Sequence, residues 1–91
     1  MTKLIERTVT RKINNQPVAC FERRDGVQRR EFVGHDAETG NACYGVVSKD
    51  KWSKAVWAYR MGGDRAFWST RNATTEQAFA KARHWLLTGE A

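Results

Sequence analysis

Two groups of residues in this chain have types and spacings that could support chemistry. The first is His35, Asp36, Glu38 and Cys43. A cysteine beside a histidine forms a nucleophile pair when the two sit within hydrogen-bond reach and a third group orients the imidazole. Here they stand eight residues apart across a glycine-containing stretch, with no glycine-rich or helix-N-terminal device for an oxyanion. Phosphate-loop and dinucleotide signatures are missing. Two cysteines, Cys20 and Cys43, and two histidines provide none of the spacings of a zinc site. The chain is therefore expected to be no enzyme and to take no metal and no cofactor. Its cysteines are expected to be reduced core or near-core thiols rather than a disulfide.

The second group is cationic. Lys and Arg total 16 against 10 Asp and Glu, a net charge of +6, which favours an anionic partner. Residues 1 to 45 carry +2 and residues 46 to 91 carry +4, so the C-terminal half is the expected contact surface. Within it Lys49, Lys51, Lys54, Arg60, Arg65 and Arg71 face only Asp50 and Asp64 over residues 49 to 71. These cations either neutralise phosphates or form a solvated face. Trp52 and Trp68 stand among them, and an aromatic ring among cations suits stacking on bases, as well as a protein interface. Arg23, Arg24, Arg29 and Arg30 bracket Asp25-Gly26 as a second basic hairpin, either a ribbon entering a groove or a charged guard against edge pairing.

These side chains must be positioned by a small framework. Ninety-one residues, 41% of them hydrophobic and 29% charged, make one expected domain, 1–91. No apolar run approaches the roughly 20 residues of a membrane span, and residues 1 to 9 lack a signal-peptide core, so a soluble cytoplasmic protein is expected. Residues 2 to 13 alternate as a half-exposed strand, and Asn14, Asn15 and Gln16 make a turn. Pro17 opens a second strand through Phe21, and Asp25-Gly26 leads into a third at 27 to 33, neither of whose faces is cleanly apolar. Residues 34 to 41 are expected to be a loop. Three further strands follow, at Tyr44 to Val47, Ala55 to Met61 and Ala66 to Thr70, with Gly62-Gly63 as a tight connection.

Ala78, Phe79, Ala82, Trp85 and Leu86 recur at a helical period, with Thr74 and Gln77 as a capping box and Gly89 beyond the end. On the middle of the three C-terminal strands, Ala55, Trp57, Tyr59 and Met61 share one face and Lys54, Val56, Ala58 and Arg60 the other. Trp57 and Tyr59 are expected to meet the helix, leaving Arg60 free for a ligand. The expected fold class is α+β: an antiparallel β-sheet, a three-stranded meander plus N-terminal strands, packed against one C-terminal α-helix.

The order strand, strand, strand, helix over residues 44 to 88 resembles the DNA-binding domain of Apetala-type ethylene-response factors and the arm-binding domains of phage and transposon integrases. Tyr44-Gly45-Val46 resembles its Tyr-x-Gly-Val opening, Trp52-Ser53-Lys54 its Trp-Gly-Lys, and Gly63 with Arg65 its Gly-x-Arg. Trp68 resembles the third-strand tryptophan and Thr75 to Ala80 the start of the helix. Val47 and Ser48 stand where the family carries arginines, and Ser69-Thr70-Arg71 replaces its Leu-Gly-aromatic. The resemblance implies a sheet face laid in the DNA major groove, with Tyr59 in the buried place, Arg60 in the exposed one and the helix behind. Residues 1 to 43 have no counterpart in it.

Together these features point to a small DNA-binding protein of a phage or mobile element, engaging double-stranded DNA through Lys49, Lys51, Trp52, Lys54, Arg60, Arg65, Trp68 and Arg71. The alternatives are a protein-binding module, such as a small inhibitor or adaptor of a nucleic-acid enzyme, and an RNA binder using Trp68 or Tyr44 as stacking platforms. A homodimer through a sheet edge at residues 2 to 13 or 27 to 33 is compatible with each.

Overall fold

The computed structural model describes residues 3–34 and 43–90. Six strands, β1 (Ile5–Ile13), β2 (Gln16–Arg24), β3 (Gln28–Val33), β4 (Gly45–Asp50), β5 (Ala55–Arg60) and β6 (Arg65–Ser69), precede one helix, α1 (Thr75–Thr88). They pair in chain order as a single antiparallel sheet, β1-β2-β3-β4-β5-β6. The fold is α+β, as the sequence leads one to expect, and the N-terminal strands extend the same sheet as the C-terminal three. The strand at 27 to 33 is not an edge, because β3 lies between β2 and β4; the edges are β1 and β6. The expected loop at 34 to 41 lies, beyond Gly34, outside the described residues, as do His35, Asp36 and Glu38. Among the described residues no helix is long and apolar enough to cross a membrane.

The turns follow from residues that tolerate positive φ. Asn14 and Asn15, at φ 55° and 62°, join β1 to β2 in the primed geometry that matches the twist of a hairpin. Asp25 accepts the amides of Val27 and Gln28 through its Oδ1, and Gly26 takes φ 82° between β2 and β3. Pro17, which cannot donate to a ladder, sits in the part of β2 that runs past the end of β3, where pairing starts only at Phe21.

The helix forms as its sequence requires. Thr74 accepts the Gln77 amide while the Gln77 side chain accepts the Thr74 amide, and Gly89 closes the other end at φ 78° with its N–H on Trp85 O. Ala78, Phe79, Ala82, Trp85 and Leu86 are all buried. They pack chiefly on β5, with β6 and β4 beside it, and the sheet bends far enough for α1 to reach β1. Close approach depends on small residues: Ala58, Val56 and Val47 are fully buried beneath the helix, and a Cβ at Gly45 would lie 2.4 Å from Leu86.

This packing reverses the expected faces of β5. Val56 and Ala58 meet the helix, with Arg60 on the same side, while Trp57 and Tyr59 point away from it. An indole and a phenol on the inner face would hold the helix several ångströms further off and separate Ala78 and Ala82 from the sheet. The closer layer made of small residues wins.

Beside the aliphatic core the same inner face carries charge. Glu22 and Glu31, cross-strand partners on β2 and β3, are both 0% exposed. Glu22 accepts hydrogen bonds from Arg7 (2.7 Å) and Arg24 (2.9 Å), and Arg29 Nε lies 2.8 Å away. Glu31 is held by Arg83 of the helix at 3.1 Å, with Arg11 Nε at 3.3 Å and Arg29 Nη2 at 3.7 Å. Arg29 also pairs with Glu76 in the first helical turn and stacks over the Phe79 ring, 3.9 Å from its centroid. This explains why β3 reads as apolar on neither face: Arg29 and Glu31 alternate inward, where other strands bury valine.

Burial pushes the Glu22 carboxyl up, but the hydrogen bonds from Arg24 and Arg7 and the charge of Arg29 outweigh it and bring it down from 4.5 to about 2. A carboxyl held lower in the folded than in the unfolded chain contributes stability that is fully present above its unfolded value and is lost as pH falls through the folded one. Stability should accordingly fall between about pH 4.5 and pH 2, and Glu22→Gln should flatten that part of the profile in urea melts read by circular dichroism. Glu31→Ala, which leaves buried guanidinium groups without their carboxylate, should cost about 3–5 kcal/mol, whereas loss of the half-exposed Arg7 should cost no more than about 1 kcal/mol.

Candidate nucleic-acid interface

The reversal of β5 divides the sequence-derived candidates. Arg60 lies on the helix side, where its guanidinium donates to Trp85 O at 2.6 Å and sits 4.1 Å from the centroid of the Trp85 ring. Asp64 is within 3.7 Å. A cation at the last carbonyls of a helix satisfies groups that have no intrahelical donor, so Arg60 is a helix anchor rather than an outward-facing ligand residue. Trp68 also faces inward, edge-on to Trp85 at 5.8 Å, and packs against the core. Lys49 is on the helix side too, donating to Asp50 O at 2.9 Å beside Arg29, its cross-strand partner. Tyr59, which the resemblance places in the buried position, is 44% exposed. The expected positions of Tyr59 and Arg60 are thus exchanged.

The remaining candidates do face solvent. Lys51, Trp52 and Lys54 occupy the β4–β5 connection and are exposed, with Trp52 at 68% and Lys51 Nζ 5.0 Å from its ring centroid. Asp50 shapes that turn by accepting the amides of Trp52 and Ser53. Arg71 follows β6 on the same side of the sheet's end, since Thr70 N donates to Lys54 O. Arg65 is exposed opposite Tyr59. Arg65, Lys51, Lys54 and Arg71 have no carboxylate within salt-bridge distance among the described residues.

The face that α1 leaves open carries a row of rings absent from the sequence-derived set. Reading across the register, Arg30, Ser48, Trp57 and Phe67 form one line and Phe32, Val46, Tyr59 and Arg65 the next. Trp57 stacks on Tyr59 with centroids 6.4 Å apart and planes 19° apart, and tilts against Phe67 at 5.0 Å. Phe67 is 59% exposed. Arg30 lies over Phe32 at 5.5 Å and has no carboxylate within salt-bridge distance among the described residues; its cross-strand neighbour Arg23 pairs with Glu6 at 3.1 Å. Aromatic alternation ordinarily marks a core face, and this hides the row in the sequence. The available clue is the other alternate set, Val56 and Ala58, whose small size matches Ala78 and Ala82.

The thiols do not add chemistry to this surface. Cys20 is buried on the helix side, and burial together with the Glu31 charge pushes its pKa up to about 11. Burial likewise raises Cys43, whose thiol lies against the carbonyls of Val33 and Gly45. Both are free. At neutral pH they remain thiols and poor nucleophiles.

No family model, no curated protein and no solved structure matches this chain. The assignment of the surface therefore rests on its geometry. If Arg60 anchors the helix, Arg60→Ala should lower stability by about 1.5–3 kcal/mol, the usual range for a hydrogen bond from a charged group, while Arg65→Ala should stay within about 0.5 kcal/mol. An Arg60→Ala protein with an unchanged denaturation midpoint would remove the anchor role.

Proposed function

We propose that this protein binds single-stranded nucleic acid across the open face of its sheet. The observation that carries the reading is the outward-facing row of half-buried Trp57 and exposed Tyr59 and Phe67, flanked by Arg30 and Arg65, cations with no carboxylate partner among the described residues. Stacking on such rings stabilises a strand whatever its sequence, because every base has a π face, and the cations neutralise its phosphates. Lys51, Trp52, Lys54 and Arg71 extend the track at the end of the sheet where Trp57 and Phe67 lie. The free thiols fit a reducing, intracellular setting.

Double-stranded DNA, the first expectation from charge and resemblance, is the less favourable partner for this face. Six strands at about 4.8 Å spacing span about 24 Å, twice the roughly 12 Å width of a major groove. A sheet this broad cannot enter the groove face-on. The cation meant to read bases there, Arg60, is committed to the helix.

A protein-binding role draws support from one feature, the exposed Tyr59, Met61 and Phe67 beside the edge strand β6. It predicts a stoichiometric complex or a homodimer and little affinity for nucleic acid. Fluorescence anisotropy with labelled oligothymidylate, oligouridylate and duplex, over a range of salt, separates these readings. Micromolar or tighter strand binding is expected, with log affinity falling against log salt by about 0.7 for each phosphate neutralised. Tyr59→Ala and Phe67→Ala should each weaken it by about 1–3 kcal/mol without changing the unfolding midpoint. Absence of strand binding at low salt would overturn the proposal.

A further inference from the structure

We infer that the open face holds a base-selective position, and that the base it selects is guanine; this rests on the single-strand reading above. A concavity of about 380 Å³ lies on that face, lined by Gln28, Arg30, Val46, Ser48 and Tyr59. Its size falls within the range of pockets that enclose small ligands, so a single base fits without displacement of the backbone.

The lining divides by chemistry. Tyr59 and Val46 are cross-strand partners and provide an aromatic wall and an aliphatic floor. Arg30 and Ser48, also cross-strand partners, provide the polar side, and Gln28 stands two residues along β3 from Arg30 on the same face. A base stacked on Tyr59 presents an edge to these three side chains.

The dominant group on that side is the Arg30 guanidinium, which has only donors, in a fixed fork. Its acceptor needs are unmet within the protein: among the described residues no carboxylate lies within salt-bridge distance of it, Glu6 being held by Arg23 and Asp50 Oδ1 by the amides of its own turn. The Phe32 ring beneath the guanidinium limits its freedom, which lowers the cost of ordering it on a ligand. Guanine offers two adjacent acceptors, O6 and N7, to a planar fork, and its fused rings stack on Tyr59 over a larger area than a pyrimidine does. Adenine pairs its N7 with an amino donor and so sets a donor against the arginine; unpaired cytosine offers an acceptor pair, O2 and N3, but stacks only a single ring on Tyr59. Ser48 and the Gln28 amide, each able to donate or accept, complete the edge.

The test uses the intact protein and a set of labelled thymidylate strands of about 12 nucleotides, identical except for one central guanine, adenine or cytosine. A single guanine avoids four-stranded assembly. The guanine strand should bind about 5- to 100-fold more tightly than the all-thymine strand, the discrimination of a good bidentate contact, with a smaller gain for cytosine and none for adenine. Arg30→Lys, which keeps the charge but loses the fork, should abolish the guanine preference, so that the guanine and all-thymine strands bind alike. Guanosine monophosphate as competitor tells a pocket for the base in a strand from one for a free nucleotide. Displacement only at concentrations far above the strand affinity supports the former, and displacement at equal concentrations overturns it. Equal binding of all four strands, or a guanine preference that survives Arg30→Lys with an unchanged circular dichroism melt, would overturn the base assignment and leave strand binding standing. Failure to bind any strand would overturn both.

Discussion

Two glutamates with no exposure to water, side by side on adjacent strands, set the terms for the rest of this molecule. Carboxylates taken from water cost several kcal/mol each unless they are paired and hydrogen-bonded, and two together repel. Glu22 and Glu31 are accommodated because five arginines and one further glutamate are arranged around them. Arg7 and Arg11 come from β1, Arg24 and Arg29 from the β2–β3 hairpin, and Arg83 from the helix. The cluster therefore joins the N-terminal strands to α1 through ionic contacts, while the C-terminal strands are joined to it through valine, alanine and phenylalanine. An apolar layer would hold the helix with less demand on geometry. The charged one holds it in a single orientation, since Arg29 and Arg83 reach their partners only from one rotation and one axial position of α1.

The division of the inner face has a direct bearing on the outer one. With small aliphatic residues beneath the helix and arginines beneath its flank, the bulky rings of β5 and β6 have no place inside. Trp57, Tyr59 and Phe67 are left to one another, Arg30 and Arg65 to solvent. The anchoring of the helix end by Arg60 acts in the same direction, because it fixes the alternation of β5: with Arg60 inward, Tyr59 must be outward. One guanidinium bonded to one carbonyl is thus tied to the exposure of the whole aromatic row.

Much of this was legible in the sequence, and the parts that were not share a cause. The helix, its capping box and its glycine stop were readable because a 3.6-residue stripe and its end signals agree. Strands β4 to β6 and the Gly62-Gly63 connection were readable from alternation and turn chemistry. The face of β5 was not, because the rule that aromatics fill cores competed with the requirement for close helix packing, and only Gly45, Ala58, Ala78 and Ala82 taken together reveal which prevails. Strand β3 gave no clean periodicity because its inward residues are Arg29 and Glu31, and no local pattern tells a buried ion pair from a solvated one. The candidate site suffered accordingly: Lys51, Trp52, Lys54, Arg65 and Arg71 lie on the surface, whereas Arg60 and Trp68 pack against the helix and Lys49 lies on the helix side of the sheet, bonded to Asp50 O.

The strictly sequential order of the strands governs how this arrangement can be assembled. Each of β2 to β6 pairs with the strand made just before it, so the sheet can grow by local hairpins with small loop-closure costs, the regime of comparatively rapid folding. The helix follows all six strands and must bring Arg83 and Glu76 to strands formed far earlier in the chain. Glu22 is paired by Arg7, Arg24 and Arg29 and Glu31 by Arg11 and Arg29, all from the sheet, and docking of the helix adds Arg83 to Glu31. A sheet without its helix would therefore expose charge on this flank rather than a sticky apolar surface.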